Sequence, residues 1–299
     1  MSLFDKLIVT TLPLVPKFIV GKVASRYVAG ATLDEAIETI KALNAEGACC
    51  TVDLLGEEIK EMSKAREAVE TYEQVLDAIV EHSLDCNISV KPTQLGLGLD
   101  DAQCRANYER LVSKAKGQDN FVRLDMEDRH TTDPTLELFR HLHSTYGNAG
   151  PVLQAYMRRT LDDIAELPDG DVNVRLCKGI YIEPREDAWK GFDTVRLNFV
   201  AALEKLFRQG VYVGIATHDE YLCCAAIDLI HRLEVPKDRY EFQMLLGVEN
   251  QLRRILIAEG HKLRVYVPYG KDWYLYSMRR LRENPQVAGH VMRAMLRGD

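Results

Sequence analysis

Asn120-Phe121-Val122-Arg123-Leu124-Asp125 alternates apolar with charged side chains. In an extended strand successive side chains point to opposite faces, so Val122 and Leu124 share one face and Arg123 and Asp125 the other. Seven more short β-prone runs surround it: residues 48–54 (ACCTVDL), 86–91 (CNISVK), 151–156 (PVLQAY), 172–177 (VNVRLC), 211–217 (VYVGIAT), 239–244 (RYEFQM) and 263–267 (LRVYV). Four of them repeat the pattern. Thr51 and Asp53 oppose Val52 and Leu54; Asn87, Ser89 and Lys91 oppose Ile88 and Val90; Asn173 and Arg175 oppose Val174 and Leu176; Arg264 and Tyr266 oppose Val265 and Val267. An apolar parity facing helices and a polar parity facing inward describe the wall of a closed barrel.

Between these runs lie segments of helical periodicity, among them Leu33–Glu46, Asp100–Lys116, Thr194–Phe207 and Asn250–Glu259. Strands alternating with helices imply a parallel sheet, and eight such units in 299 residues favour a (β/α)8 TIM-type barrel over two doubly wound domains. No Gly/Ser-rich or Pro-rich linker interrupts the chain, so residues 1–299 are expected to form one barrel domain. Residues 1–30 are read as additional N-terminal helical structure packed on it, and residues 272–297 as C-terminal helices. The apolar stretch Leu7 to Val23 is broken by Pro13, Pro16, Lys17 and Lys22, which argues against a signal peptide. No window approaches the roughly 20 apolar residues of a membrane span.

Hydrophobic residues make up 46% of the chain and charged ones 28%, with net charge −7, a composition that excludes a disordered chain or a general nucleic-acid binder. The seven cysteines lack any C-x-x-C spacing and mostly sit in apolar runs, which points to a reducing, cytoplasmic compartment without structural zinc. Eight histidines fall singly, with no H-E-x-x-H, so no metal site is expected. Gly96-Leu97-Gly98-Leu99-Asp100-Asp101 lacks the third glycine of a dinucleotide turn, so a nucleotide would have to bind in another way.

A barrel interior is normally filled by Val, Ile and Leu, and an unpaired buried charge costs several kcal/mol. The polar interior therefore persists because its charges compensate one another or because they meet a ligand. For the deeper Arg123, Glu241 and Arg264 both readings stay open. Lys91, Asp125, Gln154, Arg175 and Thr217 lie toward the C-terminal ends of their strands, where this fold builds its active sites. Near the C-terminus Tyr276, Arg279, Arg280 and Glu283 share one helix face. That face is either a solvated stripe with an Arg279–Glu283 pair, or two arginines that grip a carboxylate with Glu283 fixing one guanidinium.

At these positions the chain resembles the proline dehydrogenases. Tyr276-x-x-Arg279-Arg280-x-x-Glu283 is similar to that family's signature, and residues 90–96 (VKPTQLG), 122–127 (VRLDME), 153–156 (LQAY), 175–179 (RLCKG), 216–219 (ATHD) and 264–268 (RVYVP) are similar to its other blocks, in the same order. The resemblance implies an FAD-dependent enzyme that oxidises L-proline to Δ1-pyrroline-5-carboxylate by hydride transfer to flavin N5. It implies that electrons pass to a quinone, with peripheral contact at the inner face of the membrane, and that a separate pyrroline-5-carboxylate dehydrogenase takes the product. Lys91, Arg279 and Arg280 would bind the carboxylate, Tyr266 and Tyr276 would pack on the proline ring, and Glu283 would support the arginines. Asp125 would orient this basic site and Arg175 would sit by flavin N5. Met126, Gln154, Arg175, Lys178, Gly179, Ile180, Thr217 and His218 match the family's flavin contacts, Lys178 being suited to the phosphates. Ile180 stands where a smaller residue is expected, which would tighten the flavin edge.

Two rivals remain on sequence alone. One is an aldolase-type lyase with a Schiff base on Lys91, which leaves Arg279 and Arg280 without a task. The other is a non-catalytic protein that binds proline or flavin, against which every matched position keeps a chemically competent residue.

Overall fold

Thr32 caps the first described helix: its hydroxyl accepts from the Glu35 amide at 3.4 Å while the Glu35 carboxylate takes the Thr32 amide at 2.9 Å. The computed structural model describes residues 26–57, 59–168 and 171–274. Within them the elements run α1 (Leu33–Ala45), β1 (Cys49–Leu54), α2 (Met62–Glu81), β2 (Cys86–Val90), α3 (Asp101–Gly117), β3 (Val122–Leu124), α4 (Arg129–Tyr146), β4 (Ala149–Gln154), α5 (Thr160–Ala165), β5 (Asn173–Cys177), α6 (Phe192–Arg208), β6 (Tyr212–Ala216), α7 (Glu220–Arg232), β7 (Tyr240–Leu245), α8 (Asn250–Ala258) and β8 (Leu263–Tyr269). The eight parallel strands close in sequence order, with β8 pairing back to β1. The expected (β/α)8 barrel is present. The N-terminal segment up to residue 25 and the C-terminal helices from residue 275 lie outside the described residues.

The outward parity forms the core. Val52, Ile88, Val90, Leu124, Val174, Leu176, Val213, Ile215, Phe242, Val265 and Val267 are all completely buried between sheet and helices, each contributing about 1.5–3 kcal/mol by leaving water. Strand β4 begins two residues before the expected Pro151, because Pro151 sits inside the ladder opposite Leu124. Its neighbour is glycine for a separate reason: a Cβ at Gly150 would strike the Asn173 carbonyl and the Arg123 side chain.

Inside the lower barrel Arg264 donates to Glu241 from Nε at 2.7 Å and from Nη2 at 3.1 Å, and the Tyr212 hydroxyl donates to it at 2.9 Å. Burial alone would raise the Glu241 carboxyl, but Arg264 foremost, with Lys262 and Gln243, brings it down to about 2. Arg123 is not part of this ion pair. It reaches over Gly150 to the Asn173 carbonyl at 2.6 Å and to the Asn173 side chain, and also donates to the Pro151 carbonyl at 3.0 Å. Burial, with the nearby Arg175, lowers its pKa to about 9. Glu241 and Arg264 thus satisfy each other within the protein, which favours the structural reading for that pair.

Candidate active site

Lys91 follows the last residue of β2 and opens a single 3-10 turn, Pro92–Leu95. Its Nζ donates to both carboxylate oxygens of Asp53, at 2.8 and 2.9 Å, and lies 4.0 Å from Asp125 Oδ2. Burial works against the ammonium, yet Asp53 and Asp125 outweigh it and hold the Lys91 pKa above the ordinary lysine value. Asp53 is fully buried, and burial pushes its carboxyl up to about 6 in spite of Lys91, with Asp125 adding to the rise.

Three strands converge on Asp125. Its Oδ1 accepts from Ser89 Oγ on β2 at 2.6 Å and from Arg175 Nη1 on β5 at 2.7 Å, while Oδ2 accepts from the Tyr266 hydroxyl on β8 at 3.0 Å. The Tyr266 ring lies 5.3 Å from the Arg175 guanidinium carbon. Arg175 Nε donates to Gln243 Oε1 at 2.6 Å, so the guanidinium is held from two sides.

Around the rim, the buried Glu127 accepts from the Thr93 amide at 2.9 Å and its hydroxyl at 2.6 Å, and burial raises this carboxyl to about 7. Gln154 Nε2 donates to the Glu127 carbonyl at 2.8 Å, tying the end of β4 to the loop after β3. Farther round, Lys178 Nζ lies 3.2 Å from Asp219, and Arg196 from α6 donates to the same carboxylate at 2.8 and 2.9 Å. The Phe192 ring lies 5.0 Å from the Lys178 ammonium and 4.2 Å from the Arg196 guanidinium. His218 Nε2 accepts from the Leu245 amide at 2.7 Å.

One cavity of about 1570 Å³ opens at this end of the barrel. Of the residues singled out in the sequence it collects Lys91, Asp125, Met126, Gln154, Arg175, Lys178, Gly179, Ile180, Thr217, His218 and Tyr266. Tyr276, Arg279, Arg280 and Glu283 lie outside the described residues, although Asp272, just before them, reaches the cavity lining. The volume exceeds the ~300–1,000 Å³ of an ordinary small-molecule pocket, so it has room for a large cofactor beside a small substrate. Lys178 and Arg196 place cations on one side, suited to a diphosphate, and Arg175 places another at the floor, which fits a flavin dinucleotide. Sequence reasoning gave no site role to Asp53, Ser89, Glu127, Arg196, Asp219 or Gln243. Asp53 and Ser89 were visible as inward side chains on the first two strands, but the roles of the others depend on which loops and strands become neighbours.

The sequence profile of the family "Proline dehydrogenase" matches residues 36–293. This chain belongs to the proline dehydrogenase family. It is 35% identical over 274 residues to proline dehydrogenase 1 of Bacillus subtilis strain 168, covering 92% of this chain and 91% of that one. To the proline dehydrogenase of Deinococcus radiodurans it is 37% identical over 280 residues, covering 92% and 90%. Among solved structures, proline utilization A from Bdellovibrio bacteriovorus, inactivated by N-propargylglycine, superposes with a TM-score of 0.82 at 24% identity. That match covers 88% of this chain and 32% of the other, and shows that the two folds are alike.

Proposed function

We propose that this protein oxidises L-proline to Δ1-pyrroline-5-carboxylate with bound FAD. The observation that carries the reading is the floor of the cavity, where Lys91 and Arg175 flank Asp125 and both face the same space. Bound in this cavity, FAD would supply the hydride acceptor for proline oxidation. Lys91, with Arg279 and Arg280, holds the substrate carboxylate, and Tyr266 and Tyr276 limit the shape of the ring. Asp125 acts as an orienting group, since its oxygens accept from Ser89, Arg175 and Tyr266. Arg175 places positive charge where negative charge grows during hydride transfer. Met126, Gln154, Gly179, Ile180, Thr217 and His218 line the cavity and would hold the flavin, with Lys178 suited to its phosphates.

Electrons pass on to a quinone, at a membrane surface that the cytoplasmic protein visits peripherally; among the described residues no helix is long and apolar enough to cross a membrane. A separate pyrroline-5-carboxylate dehydrogenase consumes the product. The Schiff-base lyase needs a neutral Lys91 amine, and two hydrogen bonds to Asp53 oppose one. The two readings separate in one assay. FAD-loaded protein supplied with L-proline and an artificial electron acceptor should yield the cyclic imine in step with acceptor reduction. Borohydride-dependent attachment of substrate to Lys91, without acceptor reduction, would establish the lyase instead.

A further inference from the structure

Arg175 is fixed at two corners of its guanidinium. Nη1 donates to Asp125 at 2.7 Å and to Ser89 Oγ at 3.0 Å, and Nε donates to Gln243 Oε1 at 2.6 Å. Nη2 has no protein partner among the described residues, and Arg175 lines the cavity. The orientation of the Gln243 amide is also determined. Its Nε2 donates to Glu241 Oε1 at 2.6 Å, and an ionised carboxylate can only accept, so the amide oxygen must face Arg175. Reversing the amide would set its NH2 against a guanidinium and its oxygen against a carboxylate.

The span of this bridge explains a glycine. Arg175 is on β5 and Gln243 on β7, with β6 between them; Arg175 stands in register with Gly214, and Gly214 with Glu241. A Cβ at Gly214 would overlap the Gln243 amide. Lower in the barrel the device recurs, with Arg123 on β3 crossing Gly150 on β4 to reach Asn173 on β5. Only the upper arginine of the two lines the cavity.

We infer that Gln243 is a positioning residue for Arg175, and that Gly214 clears the path across which it acts. The inference rests on the flavin-binding reading of this cavity. A neutral amide holds the guanidinium without cancelling its charge. A carboxylate at the same place would hold it equally well and neutralise it, since Asp125 already contributes one negative charge. The amide thus keeps the cationic edge both rigid and charged where hydride transfer builds up negative charge.

Three variants test this in FAD-loaded, full-length protein: Gln243→Leu removes the acceptor, Gln243→Glu retains an acceptor but adds charge, and Gly214→Ala displaces the amide while leaving residue 243 unchanged. Gln243→Leu and Gly214→Ala should each lower kcat by roughly 10- to 100-fold, with KM for proline within about threefold, and should lower the flavin reduction potential. Their double variant should be no worse than the poorer single one. Gln243→Glu should show the lowest potential although its hydrogen bond is kept. Variants that lose thermal stability but keep wild-type kcat and potential, or a double variant whose losses multiply, would overturn the inference. Should the wild type fail to be reduced by proline, the functional reading fails separately. The inference is then decided in flavin-free protein by the Arg175 Nε–H resonance. It should be protected from exchange in the wild type and lose protection in Gln243→Leu and Gly214→Ala; equal protection in all three would refute it.

Discussion

Glu241 and Asp53 are both carboxylates buried inside one barrel and paired with a cation, yet they are displaced in opposite directions. Glu241 collects two hydrogen bonds from Arg264, one from Tyr212 and one from Gln243, and overcomes its burial to reach about 2. Asp53 has Lys91 as its one ion-pair partner among the described residues and faces Asp125, so burial prevails and it stands near 6. The neighbouring charges decide which effect wins: Glu241 lies beside two cations, Arg264 and Lys262, whereas Asp53 lies beside one cation and a second carboxylate. The lower interior is saturated by the protein itself and serves the fold. In the upper interior one lysine is shared between two carboxylates beside an open cavity, and that balance can respond to a ligand.

Lys91→Met should break the comparison most sharply. We expect kcat/KM for proline to fall roughly 10²- to 10³-fold, while the melting temperature changes little because Asp53 can take up a proton near neutral pH. Steady-state kinetics beside thermal denaturation would show it, and a protein that unfolds easily but turns over normally would reverse the assignment of the two halves. Arg264→Met should do the opposite. Leaving Glu241 buried without its main partner should cost about 3–5 kcal/mol of stability in denaturant titrations, with kcat of the folded protein within a few-fold of wild type.

Acidity separates the two carboxylates further. The folded-state value of Asp53 lies above the ordinary carboxylate value, so this group contributes stability at low pH that is lost as pH rises through about 6. Glu241 is displaced downward; its contribution is present above the ordinary value and is lost as pH falls toward about 2. Activity should follow Asp53: kcat/KM should decline as pH drops below about 6, and Asp53→Asn should flatten that limb. A pH–rate profile unchanged by Asp53→Asn would remove Asp53 from the account. The smallest effect expected is that of Tyr212→Phe, which deletes one of Glu241's donors and should cost on the order of 1 kcal/mol without altering the pH profile.

The alternation of Val122, Arg123, Leu124 and Asp125 was sufficient to tell wall from interior, because a period of two admits only one assignment once one parity is apolar. Strand ends were less legible where proline intervened. Pro151 and Pro268 look like boundaries, yet each lies within a strand, opposite Leu124 and Asp53 respectively. Lys91, Asp125 and Arg175 were readable as a group because each projects inward near a strand end. Gln243 was not, since its value depends on a neighbour two strands away and on the absence of a side chain at Gly214. A glycine inside a strand was the available signal, as it marks a close approach. Arg196 and Asp219 belong to a loop and helix junction on which strand periodicity is silent.

A flavin held in the upper half of the barrel and reduced by proline would announce itself by its colour. The direct measurement is the visible absorption spectrum of the FAD-loaded protein, recorded without oxygen before and after L-proline is added. The oxidised flavin spectrum should bleach with proline in the wild type and far more slowly in Lys91→Met. A flavin that stays oxidised in the wild type, or a protein that takes up no FAD, would contradict the proposed function.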